Sequence, residues 1–232
     1  MQRFWDERAR ENALYFVDTR LDYADPDAER FWAQAERDLE YMLELLEIDV
    51  RPSDVVADIG CGIGRLTRAL SSRAGSVIGI DVSEEMLAQA REHNAQLTNV
   101  RWVHGDGTSL APLQDASVDA CISLVVFQHI PDPEVTLDYV REMGRVLTSG
   151  GWAAFQVSTD PDIHRLRRRS LGERVRTLLG RAPRGQNDPR WRGSIIDLED
   201  VARAAADGGM GVERVENPGQ QFCIVLARRK SG

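Results

Sequence analysis

Three glycines at alternate positions, Gly60, Gly62 and Gly64, follow the apolar run Val55-Val56-Ala57 and stand between Asp58 and Arg65. Glycines let a chain turn sharply and approach a ligand that any Cβ would push away, and the helix that follows opens its free N–H groups toward that ligand. A second apolar run, Val77-Ile78-Gly79-Ile80, ends on Asp81, where a carboxylate can accept both hydroxyls of a ribose. This spacing suits the binding of a nucleotide-like cofactor. Cys61, inside the loop, reads as a residue small enough to fit there rather than as a reactive thiol.

Details of the loop separate the ligand classes. A dinucleotide fingerprint places its third glycine where this chain has Arg65, and Asp58 at the strand end would repel a pyrophosphate. A ligand with an ammonium, a sulfonium, a ribose and an adenine suits the two carboxylates better. The run Asp58-Ile59-Gly60-Cys61-Gly62-Ile63-Gly64, with Asp81 about one β-α unit on, resembles motif I and its acidic partner in class I S-adenosylmethionine-dependent methyltransferases, particularly the small-molecule type 11 group. The resemblance is specific over residues 50 to 158 and implies S-adenosylmethionine as cofactor. It also implies roles for further residues. Gly105-Asp106-Gly107 resembles the motif in which an acidic side chain accepts from the adenine amino group and the next backbone N–H reaches the ring. Val82 and Met86 would wall the adenine, and Leu124 and Val125 would meet the methionine moiety.

The stretch Leu124-Val-Val-Phe-Gln-His-Ile-Pro131 lacks the Asn/Asp-Pro-Pro-aromatic motif of enzymes of this fold that methylate nitrogens of nucleic acids and proteins, and resembles the small-molecule type. His129 within it is the candidate general base, since a neutral imidazole can take the proton of a hydroxyl or amine near pH 7; a packing role is the alternative. His93, His104 and His164 read as surface or structural residues. Displacement at a sulfonium has a good leaving group, so positioning alone can supply much of the acceleration. No zinc spacing, nucleophile elbow or phosphate-loop lysine occurs, so no metal is expected.

Composition bounds the alternatives. The 232 residues suit one domain with a complete core, and 42% hydrophobic with 28% charged residues is the balance of a soluble globular protein. No apolar stretch approaches the roughly 18 to 20 residues of a membrane span, and the charged start Met1-Gln-Arg-Phe-Trp-Asp-Glu-Arg lacks the apolar middle of a signal peptide. The expectation is a cytoplasmic protein, monomer or homodimer, that binds no membrane. Cys61, Cys121 and Cys223 lie in or beside apolar runs and read as buried thiols. A net charge of −8 argues against nucleic acid as a partner and leaves a small-molecule acceptor. Between Asp160 and Arg192, however, ten arginines stand against four acids, a local excess of +6 in a chain that is otherwise −14. That segment, 160–195, lies where the resemblance implies a variable acceptor-side insertion, either a solvated loop or a cover that holds an anionic acceptor.

The elements that must position these residues follow from periodicity. Asp25-Pro26 predicts a helix start, with Phe31, Ala35, Leu39, Met42 and Leu46 on its apolar face. Strands are expected at 55–59, 76–81, 100–104, 118–125 and 152–158, and helices at 63–73, 83–97 and 133–147, the last stopped by Ser149-Gly150-Gly151. A helix over 198–207 precedes strands at 211–216 and 221–228, joined by Asn217-Pro218-Gly219. Alternating units of this kind give an α/β fold with a doubly wound Rossmann-like sheet, and the resemblance implies seven strands, mostly parallel with an antiparallel C-terminal hairpin strand. Residues 1–49 form a helical segment whose Phe4-Trp5 and Tyr15-Phe16 either cover the pocket as a lid or pack outside it, and 50–232 form the cofactor-binding domain. A non-catalytic S-adenosylmethionine sensor or subunit and an NAD-dependent oxidoreductase stand as the other functional readings.

Overall fold

The computed structural model describes residues 1–164, 172, 176–177 and 182–231. Its elements run α1 (Gln2–Val17), α2 (Ala28–Leu46), β1 (Val55–Ile59), α3 (Arg65–Ser71), β2 (Ser76–Asp81), α4 (Glu84–His93), β3 (Val100–His104) and β4 (Val118–Ser123). A 3₁₀ turn (Phe127–His129), α5 (Pro133–Val146), β5 (Leu147–Val157), α6 (Pro189–Arg192), α7 (Leu198–Asp207), β6 (Met210–Glu216) and β7 (Cys223–Arg229) complete the chain. The strands form one sheet in the order β3-β2-β1-β4-β5-β7-β6, parallel except where β7 joins β5 and β6.

The alternation of the strands explains why both faces are covered. Ala57 and Ile59 of β1, Ile78 and Ile80 of β2 and Phe155 of β5 enter one core with α5 and α7. Their neighbours Val56, Val77 and Ala154 enter a second core with Leu39, Met42 and Leu46 of α2 and Leu70 of α3. Parallel strands sandwiched this way must be apolar on both faces, which is what the near-continuous runs supply. A smaller third cluster ties Ala9 and Ala13 of α1 to Phe31, Ile63 and Met86, so α1 sits over the glycine loop and the start of α4.

Several boundaries depart from expectation, each for a local reason. The α2 cap is Asp27, whose carboxylate accepts the Arg30 N–H, while Asp22 holds the N–H groups of Ala24 and Asp25 in the preceding turn. The first of these replaces Asp25-Pro26 as the helix start. The helix predicted over 83–97 keeps its Ser83 cap but ends at His93, because the Asn94 side chain donates to Ile63 O and Ala90 O. The chain passes from α5 into β5 at Leu147 without a break, and Ser149-Gly150-Gly151 lies inside β5, beside a register shift against β4. β4 stops at Ser123, two residues early, because Val125 adopts φ +62°. Among the described residues no helix is long and apolar enough to cross a membrane, and all three cysteines are buried and free.

Candidate functional site

At the carboxyl ends of β1 and β2 the backbone folds back on itself. The N–H groups of Gly60 and Cys61 both donate to Ile80 O, at 2.7 and 3.0 Å, which lashes the loop to the end of β2. Asp81 completes the fastening: one carboxylate oxygen accepts Gly62 N–H and the other Ser83 N–H, each at 2.8 Å. Burial nonetheless raises its pKa above the ordinary carboxylate value, against those backbone donors. Gly60 has φ +74°, and a Cβ there would fall 2.4 Å from a Val126 methyl, so the loop after β4 packs directly on the glycine.

Asp58, 2% exposed, lies at the end of β1 and accepts the Thr67 hydroxyl at 2.5 Å. Burial pushes its pKa up to about 6, opposed by that hydroxyl and by the nearby Arg65 guanidinium. Arg65 is itself buried; its Nη1 pairs with Asp38 at 2.6 Å and its Nε has no partner among the described residues.

The loops after β3 and β4 close the cleft. Gly105 N–H donates to Asp81 O. Asp106 turns both oxygens to its own loop, accepting the N–H groups of Thr108 and Ser109 at 2.8 Å and the Ser109 hydroxyl at 2.7 Å. In the β4 loop a chain of buried amides has a fixed polarity. Val125 N–H donates to Gln156, whose amide donates to Gln128 at 2.9 Å; Gln128 lies 3.2 Å from His129 Nε2, and His129 Nδ1 lies 2.6 Å from Trp191 O. A carbonyl only accepts, so Nδ1 carries the proton and Nε2 accepts from Gln128. Burial lowers the His129 pKa to about 4.

One cleft is lined by most of the residues singled out in the sequence: Asp58, Gly60, Cys61 and Gly62 from the loop, Asp81, Val82 and Met86 from β2 and α4, Gly105 and Gly107, then Leu124, Val125 and His129. Gly64 and Asp106 are not among its lining residues. Gly64 caps α3 with φ +84°, where a Cβ would meet Trp102 at 2.5 Å, so its reason for being glycine is packing. Sequence reasoning missed Arg65, Val126 and Tyr139, which also line the cleft, and left open whether Trp5 and Phe16 cover it or pack outside; both line it, together with Met1 and Val17. Trp5 meets His129 edge-on, with ring centroids 5.4 Å apart. A neighbouring cavity of about 300 Å³ shares Phe16, Val17, Val125 and His129 with the cleft and runs to Trp191 and Arg192 of α6.

The cleft lies where strand order reverses between β1 and β4, the usual ligand position in open α/β sheets. Residues 57–155 match the family model described as "Methyltransferase domain". This stretch is similar to methyltransferase domains. Over 120 residues, 50% of this chain and 48% of the relative, the chain is 38% identical to a demethylmenaquinone methyltransferase of Staphylococcus aureus. Over 108 residues, 45% of this chain and 30% of the relative, it is 42% identical to an uncharacterized 37.1 kDa protein in transposon TN4556 of Streptomyces fradiae. The chain thus spans half or less of the length of these relatives. Among solved structures, an S-adenosylmethionine-dependent methyltransferase from Mesorhizobium loti shares its fold with a TM-score of 0.61 at 23% identity, over 84% of this chain and 98% of that one. Magnesium protoporphyrin IX methyltransferase from Synechocystis, solved with bound SAH, gives 0.56 at 18% identity, over 86% and 83%.

Proposed function

We propose that the methyltransferase domain binds S-adenosylmethionine in the cleft and transfers its methyl group to an O, N or C atom of a small-molecule acceptor, releasing S-adenosylhomocysteine. The observation that carries this reading is the pair of carboxylates, Asp58 and Asp81, set on either side of a glycine loop in one cleft. When bound, the cofactor supplies an activated methyl group on a sulfonium. Asp81 keeps lone pairs free for ribose hydroxyls beyond the two N–H groups that it accepts. Asp58, raised by burial and only partly compensated, favours a cationic neighbour and disfavours a pyrophosphate, which argues against the NAD reading.

His129 serves in this proposal as a positioning residue. Both ring nitrogens are engaged and its pKa lies near 4, so a base role at neutral pH would require breaking the contact with Gln128. Acceleration then comes from placing acceptor and methyl donor side by side. Release of S-adenosylhomocysteine across an acceptor panel, with wild type and His129→Ala in parallel, tests this. Acceptor-dependent release is expected, with a loss in the variant that is similar at every pH. Absence of release with any acceptor favours the sensor reading, and a loss of about a hundredfold or more with a changed acid limb restores the base.

A further inference from the structure

Resting on the methyltransferase reading, we propose that the cavity between α1, the 3₁₀ turn and α6 is the acceptor chamber, and that it takes a planar aromatic acid whose carboxylate sits on Arg192. At about 300 Å³ it is at the small end of ligand sites, the size of a one- or two-ring molecule. Its walls carry three aromatic side chains, Phe16, Trp191 and Phe222, and the side-chain amides Gln128, Gln186, Asn187 and Gln221. Flat apolar plates interleaved with amides suit an aromatic ring bearing polar substituents. Ile163 and Phe222, both lining residues, are among the few large hydrophobic side chains left exposed in the described residues, at 39% and 50%. Apolar surface is thus displayed where such a molecule would enter.

Charge supplies the second half of the argument. No Asp or Glu is among the described residues that line the chamber, while Arg192 is. Its Nη1 donates to His164 O at 2.9 Å, and its Nε, shielded from solvent, has no hydrogen-bond partner among the described residues. A guanidinium among the lining residues can meet a carboxylate there through its planar N–H groups. A guanidinium with no carboxylate partner among the described residues, in a partly buried cavity, is costly until an anion arrives. The adjoining cleft has the opposite sign, with Asp58 and Asp81 in its walls, so a cationic cofactor and an anionic acceptor would sort themselves between the two spaces. The shared wall of Phe16, Val17, Val125 and His129 places the two ligands next to each other. α6 is held over the chamber by three ties to the β4 loop: Trp191 O to His129, the Ser194 hydroxyl to Ile130 O, and Gly193 packed so tightly on Gln128 O that no Cβ fits.

Calorimetric titration with two acids, 4-hydroxycinnamate and indole-3-acetate, against their neutral counterparts, methyl 4-hydroxycinnamate and indole-3-acetamide, tests this with and without saturating S-adenosylhomocysteine. The acids are expected to bind about tenfold to a hundredfold more tightly than the neutral compounds. Arg192→Gln should abolish that preference and Arg192→Lys keep part of it, with S-adenosylhomocysteine affinity unchanged in both. The inference is overturned if neither acid binds, if acids and neutral compounds bind alike, or if Arg192→Gln retains the preference. Failure of the underlying reading looks different: S-adenosylhomocysteine would not bind, while the Arg192-dependent preference for acids would persist.

Discussion

Asp58 sets stability against binding at a single residue. Its folded-state pKa of about 6 lies above the ordinary carboxylate value of 3.8, because burial penalises the charged form. The unfolded chain therefore releases this proton first, and stability falls as pH rises from about 4 through 6 and stays lower above it. At 1.36 kcal/mol per pH unit the cost at neutral pH is on the order of 3 kcal/mol. Asp58→Asn removes the charge and keeps an acceptor for Thr67, so it should raise the thermal midpoint at pH 7.5 and leave it nearly unchanged at pH 4. The same variant should bind S-adenosylmethionine more weakly, and wild-type affinity should decline as pH falls below about 6, where the carboxylate is neutralised. A lower midpoint at pH 7.5 would show that Asp58 is a structural anchor. At this scale the glycine loop and both carboxylates were legible, since turn chemistry and strand ends are local. The partners of His129 were not, because Trp191 is 62 residues away. Nor was the left-handed backbone of Val125, a β-branched residue at φ +62°, whose strain of about 1 to 3 kcal/mol is imposed by the fold around the cleft.

Among the elements, α1 most affects access to the cofactor cleft. With α1 in place the cleft encloses about 110 Å³, below the roughly 300 Å³ at which small-molecule sites begin. Cofactor entry on our reading therefore requires α1 to lift. Asn12 provides a break, with non-helical backbone inside α1 and a side chain that accepts Tyr15 N–H and donates to Tyr23 O. On the same reading Asp6 would be the latch, since it accepts both the Ser83 hydroxyl at 2.7 Å and the Glu85 N–H at 3.2 Å from the start of α4. Asp6→Ala should speed both association and release of S-adenosylmethionine by about twofold to tenfold in stopped-flow fluorescence, given hydrogen bonds of about 0.5 to 1.5 kcal/mol each. Unchanged rates would mean that α1 is fixed packing. Periodicity predicted β1, β2 and β3 with their observed ends; β1 and β2 are buried parallel strands, apolar runs between turns, while the edge strand β3 exposes Arg101 and His104. It gave no bounds for α1, whose buried face is only Phe4, Ala9, Ala13 and Phe16 with the polar Arg8 among them.

For the molecule as a whole, sheet order and charge distribution together define where ligands go. The reversal between β1 and β4 opens the cleft, and the strand alternation that sequence patterning predicted fixes both cores beneath it. The excess of arginines over 160–192 was equally plain in the sequence, but Arg165, Arg167, Arg168, Arg169, Arg174 and Arg181 lie outside the described residues; among those described, Arg192 lines the neighbouring cavity. The chamber around it draws on α1, the β4 loop, α6 and the turn before β7, a convergence that no local pattern encodes. The central claim is that the cleft holds S-adenosylmethionine with Asp81 on its ribose. Calorimetric titration of S-adenosylmethionine and NAD into wild type, Asp81→Ala and Asp81→Asn tests it directly. The account predicts that wild type binds S-adenosylmethionine and not NAD, and that Asp81→Ala weakens binding about tenfold to a few hundredfold, two charge-assisted bonds of roughly 1.5 to 3 kcal/mol each being at stake. Wild-type affinity in both folded Asp81 variants, or a preference for NAD, would contradict it.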